Sequence, residues 1–144
     1  MKTSTILAVG IVSVTAAIAS AAPTETKGSA IHQHPCGRVA VKHMGLIHAG
    51  KMEDAAKLGT QEMQDQWKAM PAKDREMMTQ IMKETSVPEA QLAGAIRANG
   101  VLSIDGKNAI LTVKKEHKNQ SGSSTETWTQ KYVIDGANCA ISRY

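Results

Sequence analysis

The chain has 144 residues, a net charge of +4, 42% hydrophobic residues and no phenylalanine. That length and balance suit one ordinary globular domain. The basic excess is mild, and Trp67, Trp128, Tyr132 and Tyr144 are the only aromatics; this speaks against a nucleic-acid-binding surface, which combines a Lys/Arg stripe with stacking rings.

The first 21 residues read as a secretory signal peptide. Lys2 supplies the positive start, Ile6 to Ile18 the short apolar stretch, and Ala19-Ser20-Ala21 an A-x-A cleavage site before Ala22-Pro23. The apolar stretch is too short for a membrane span, which needs roughly 20 apolar residues. Cleavage after Ala21 exports a chain of about 120 residues, to the bacterial periplasm or outside the cell, where disulfides are permitted. The first cysteine, Cys36, lies too far downstream to carry a lipid at the cleavage site. Residues 22–35 are expected to be a flexible lead-in, because the stretch from Pro23 to Ala30 is polar, small-residued and without period. Residues 36–144 are expected to form the single domain.

Helical spacing opens that domain. Ala40, Val41, Met44, Ile47 and His48 predict a first helix from about Cys36 to Ala49, stopped by Gly50. Lys51 to Leu58 reads as a short second helix, and Gln61 to Met70 as a third. A fourth starts at Pro71, which fits a first helical turn. It carries Met77, Met78, Ile81 and Met82 as an inward stripe and ends before Val87-Pro88. With no phenylalanine available, the methionines of this half are expected to fill the core.

The period then changes to two. Strands are expected at Ile96–Ile104, Asn108–His117, Thr125–Ile134 and Asn138–Ser142, with hairpins at Asp105-Gly106 and Asp135-Gly136. Lys118 to Ser124 is expected to be a flexible loop. Ala109, Leu111 and Val113 share one face of their strand. Trp128, Gln130, Tyr132 and Ile134 share one face of theirs. Helices first and an antiparallel meander after make an α+β layout. Cys36 and Cys139 are the only cysteines. In an exported chain they are expected to bridge, the alternative being two separately buried small side chains.

Three stretches carry a family likeness: the helix corner Met44–Ala56 (MGLIHAGKMEDAA), the hairpin Val101–Val113 (VLSIDGKNAILTV) and the closing pair Lys131–Ser142 (KYVIDGANCAIS). In order and spacing they resemble the NTF2-like, or cystatin-like, superfamily, and in particular its small exported bacterial members. The resemblance implies N-terminal helices packed on a curved antiparallel meander, a cone with an open mouth. Family members place a tryptophan shortly after the last Asp-Gly turn. Here Asn138-Cys139 stands in that region, and a cysteine there suits a bridge to Cys36. The same cone hosts isomerases, dehydratases, transport factors and bare binding modules, so the likeness implies no single activity.

The residues offer three functional readings. The leading one is an exported, non-catalytic binding domain for a small apolar ligand or a protein partner, with Trp128, Gln130 and Tyr132 as pocket candidates. The second is a small proton-transfer enzyme working in the cone, drawing on His43, His48, Tyr132 or Asp54. The third is metal handling by His32 and His34 beside Cys36, in the run HQHPC. No catalytic residue, metal ligand or cofactor is assigned. Neither nucleic acid nor a membrane span is expected, and a homodimer is left open. Asn119-Gln120-Ser121 matches the N-glycosylation sequon, which matters only in a eukaryotic host.

Overall fold

The computed structural model describes residues 22–143; the expected signal peptide lies outside the described residues. Strand β1 (Thr24–Lys27) comes first, followed by a 3-10 helix (Gly28–Gln33). The helical half holds α1 (Pro35–His48), α2 (Met52–Ala56), α3 (Gln61–Ala69), α4 (Ala72–Thr85) and α5 (Glu89–Asn99). The strands β2 (Gly100–Asp105), β3 (Asn108–Asn119), β4 (Gly122–Asp135) and β5 (Asn138–Arg143) complete an α+β fold. All five strands form one antiparallel sheet in the order β1-β2-β3-β4-β5. Among the described residues no helix is long and apolar enough to cross a membrane.

The expected lead-in is ordered instead. Thr24 to Lys27 pair with Ile104 to Val101 along the edge of the sheet. The 3-10 helix just downstream anchors the segment: its Ile31 is fully buried in the core, and burying one isoleucine is worth roughly 1.5–3 kcal/mol. Composition missed this because β1 is an edge strand whose own side chains are mostly exposed; its stabilisation comes from ladder hydrogen bonds and from that single anchor.

Helix α1 has clear local causes. The His34 ring accepts the Cys36 N–H at 3.2 Å, and Pro35 occupies the first turn. At the other end Gly50 adopts φ +74°. The Lys51 N–H then reaches the Leu46 carbonyl at 2.8 Å, and the Gly50 N–H the Ile47 carbonyl at 2.9 Å. This pair of bonds is a Schellman stop, and it caps carbonyls that the helix leaves free.

Helix α5 extends into the stretch expected to be strand. Ile96 to Asn99 are helical, and the strand starts only at Gly100. Pro88 stands at the helix entry, Glu89 in its first turn, and Leu92, Ala93 and Ile96 are buried at helical spacing. Those local signals outweigh the β-branched character of the residues beyond them. The stretch Lys118–Ser124, expected to be a flexible loop, is mostly strand. The β3–β4 ladder continues through His117↔Ser124, Lys118↔Ser123 and Asn119↔Gly122, leaving only Gln120-Ser121 as the turn. Polar residues suit a ribbon solvated on both faces, since pairing satisfies the backbone without a core. At both Asp-Gly turns the aspartate is still in the strand, and the glycine opens the two-residue turn with φ near +57° or +58°.

The sheet's inward face reads Leu102 beside Leu111, Leu111 beside Gln130, and Ala109 beside Tyr132, which in turn faces Ile141. Gln130 is a buried polar member of this face; the others make the main core with Ile31, Cys36, Ala40, Leu92 and Ile96. The opposite face carries Thr127, Thr129 and Lys131 into solvent. Edge strand β5 is covered at Ile141, whose N–H and carbonyl bond Leu58 O and Thr60 N at 3.0 and 2.8 Å.

A smaller cluster of Ile47, Met52 and Ala55, with Trp67 and Met82 against it, fills the space among α1, α2, α3 and α4. The methionine expectation holds for Met52 and Met63, which are buried. It fails on α4: Met82 alone of the expected stripe packs inward, whereas Met77, Met78 and Ile81 are exposed. The helix has no buried residue and leans mainly on α1, with no sheet beneath it.

Cys36 at the start of α1 and Cys139 on β5 form a disulfide spanning 103 residues. Closing a loop of about 100 residues stabilises by roughly 4–5 kcal/mol in the chain-entropy model. Reduction, or Cys36→Ser with Cys139→Ser, should lower the melting temperature by on the order of 10 °C or more; identical melting curves with and without reductant would contradict it. Gly37 supplies a second test. A Cβ there would lie 1.9 Å from the Ile31 carbonyl oxygen, whereas one at Gly94 would meet nothing within 4 Å. Gly37→Ala should therefore cost about 2 kcal/mol or more. Gly94→Ala, in an exposed stretch of α5, should gain about 0.5–1 kcal/mol. Urea midpoints of the two variants should move in opposite directions.

Candidate functional site: a tryptophan-walled groove

The β3–β4 ribbon outruns the helices. Val113 lies opposite Trp128 on the inward face, and the next inward pair is Lys115 opposite Glu126. Beyond Trp128 no helix fills the space, and a groove of about 500 Å³ opens there. Its apolar wall is Met44 of α1, Val87 of the α4–α5 link, Leu92 and Ala95 of α5, and Val113 and Trp128 of the sheet. Gln91, Asn99, Lys115 and Glu126 stand among its polar lining. The volume falls within the roughly 300–1,000 Å³ of small-molecule sites, and an apolar interior with a few polar groups is the usual lining of such sites.

Of the three sequence candidates, Trp128 is half-buried and lines this groove. Gln130 and Tyr132 continue the same face inward, but they are 5% and 1% exposed and belong to the core. The Tyr132 hydroxyl is buried and hydrogen-bonds no other described group, and burial pushes its pKa up. Period-two reading put the three on one face correctly. It could not say where along the strand the helix layer ends. The residues it missed are Gln91, Leu92, Ala95 and Asn99, the wall supplied by α5. The Pro88-Glu89 start and the spacing of Leu92 to Ile96 were the signals that would have found them.

The proton-transfer candidates are dispersed, and none lines the groove. Asp54 on α2 is exposed and takes a hydrogen bond from Lys57 at 2.8 Å, which holds its pKa down. His48 meets Ser86 at 3.3 Å at the exposed end of α1. His43 is buried within α1, where desolvation lowers its pKa to about 4.

The HQHPC run is also divided among structural tasks. His32 Nε2 lies 3.1 Å from the Ala93 carbonyl oxygen, His34 caps α1, and the Cys36 sulfur is in the disulfide. Burial, and then the Arg38 charge, lower the His34 pKa, consistent with a neutral ring accepting an N–H. Among the described residues no three His, Cys, Asp or Glu side chains come together as a metal site.

Compared with protein-family models, curated proteins and solved structures, the chain shows no match.

His43 gives a pH prediction. Its folded pKa, about 4, lies below the unfolded value of 6.5. The unfolded chain therefore binds the proton first as pH falls. The associated stability is fully present above about pH 6.5 and is lost on the way down through pH 4, a change on the order of 3 kcal/mol. Chemical denaturation at pH 7 and pH 4.5 should show that loss, and His43→Gln should flatten the dependence.

Proposed function

We propose that the protein is an exported, non-catalytic binding domain of the NTF2-like kind, and that its groove takes a small apolar ligand. The single observation carrying this is the cavity of about 500 Å³ walled by Trp128, Val113, Leu92 and Met44. An indole offers a large, rigid apolar surface at low entropic cost, and here it stands where a bound chain would contact it. The α+β layout and the antiparallel sheet support the superfamily likeness, with the groove as the mouth of the cone. The disulfide supports export, since such bonds persist in oxidising compartments.

The polar lining narrows the ligand. Lys114 and Lys115 are offset by Glu116 and Glu126. The mouth therefore carries no strong net charge and favours an apolar tail ending in an uncharged or weakly charged polar head. Ala95, only part-buried, is the small residue that leaves room for the tail.

Trp67 sits in the separate helical cluster, so a Trp67→Phe protein reports on Trp128 alone. Titrating it with a C8–C14 series of fatty alcohols and fatty acids should give a saturable change in emission, with dissociation constants in the micromolar range. Ala95→Leu should weaken binding about tenfold or more by filling the groove, with an unchanged circular dichroism spectrum. An emission that stays constant up to the solubility limit of every probe would refute the reading.

A further inference from the structure

Among the described residues the exposed large hydrophobic side chains are Met77, Met78, Ile81 and Ile110; the first three sit on α4 within five positions. Met77 is 55% exposed and Ile81 49%. The inner side of α4 is already engaged: Arg75 pairs with Glu53 at 3.5 Å, and Met82 packs on the Ile47–Met52–Ala55 cluster. The outer side has a regular order. Lys73, Met77, Gln80 and Glu84 succeed one another at intervals of four, three and four, with Ile81 beside Met77. Those intervals form a straight seam along the helix, with Met77 its one apolar member and Ile81 flanking it.

The ends of the seam carry opposite charges. Lys73 lies in the first turn, next to Asp74, and Glu84 in the last, next to Lys83. Both are placed against the helix dipole, which favours acids at the start and bases at the end. Among the described residues Lys73 takes part in no ion pair, and Glu84 accepts a hydrogen bond from Gln80. An antiparallel copy of the same helix resolves both charges at once. When Met77 faces the partner copy's Gln80, Lys73 faces its Glu84, and two-fold symmetry repeats the match at the other end. Two antiparallel dipoles also attract.

We propose that α4 is a self-complementary dimer interface, in which two copies of this chain pair antiparallel through Met77 and Ile81 and are locked in register by Lys73 and Glu84. The surface is independent of the groove: none of its residues lines that cavity. A single helical seam lies at the small end of specific interfaces, below about 1,200 Å² in total, so the dimer is a dissociating one.

The test uses the mature, oxidised chain. Sedimentation equilibrium from about 1 µM to about 1 mM should show the mass rising from one chain to two. Met77→Glu should leave a single-chain mass throughout, with an unchanged circular dichroism spectrum, because the residue is exposed in the monomer. Lys73→Glu should weaken association about tenfold, and Lys73→Glu with Glu84→Lys should restore it. A single-chain mass at every concentration overturns the proposal, as does a dimer that survives Met77→Glu. Failure of the double charge swap to restore association overturns the antiparallel register.

Discussion

The arrangement depends on how the first turn of α1 is pinned. Between His34 and Gly37 this turn carries the ring cap from His34, the disulfide to β5 at Cys36, and the close approach to Ile31 at Gly37. The bond ties a helix near the start of the described chain to its last strand. The Ile31 contact ties the same turn to the segment that leads back to β1. Both edges of the sheet are thereby fastened to one helix. The orientation of α1 on the sheet is set by these ties, and with it the site where α5 packs between α1 and the strands.

That pinning leaves two regions of unequal packing. The main core lies between the sheet and α1 and α5, and it is filled by Ile, Leu, Val and Tyr132. The second is a small helical cluster around Met52 and Trp67, remote from the sheet. Methionine suits it, since an unbranched, adaptable side chain fills irregular space between short helices. Two surface features follow. Where the sheet outruns the helices, Trp128 is left as a wall with no cover, and a groove results. On α4, Met82 packs on the small cluster while Met77 and Ile81 lie on the side turned away from it. Both features arise because the core covers only part of each element's surface.

Much of this was legible along the chain. Gly50 as a helix stop, Pro71 and Pro88 as boundaries, and the alternation through β3 and β4 rest on local backbone rules, and they appear where those rules put them. Errors fell where a local pattern was ambiguous. The residues from Ile96 onward read as strand, yet Pro88, Glu89 and Leu92 had already committed the segment to a helix as far as Asn99. The TETK segment reads as disorder, and only pairing with β2 makes it a strand. The apolar stripe on α4 reads as inward, because periodicity shows that a helix has an apolar side without showing what lies against it.

The sequence by itself determined which residues share a face, where most helices begin and end, and that its two cysteines had reason to pair. Those properties depend on the repeat of the backbone and on side-chain chemistry within a few positions. Only the tertiary structure decided that Gln130 and Tyr132 lie in the core while Trp128 walls a groove, that His32, His34 and Cys36 serve three separate structural bonds, and that α4 turns Met77 and Ile81 outward. Each depends on which elements pack against one another and on which side. That is a relation between segments far apart in the chain, and no local period encodes it.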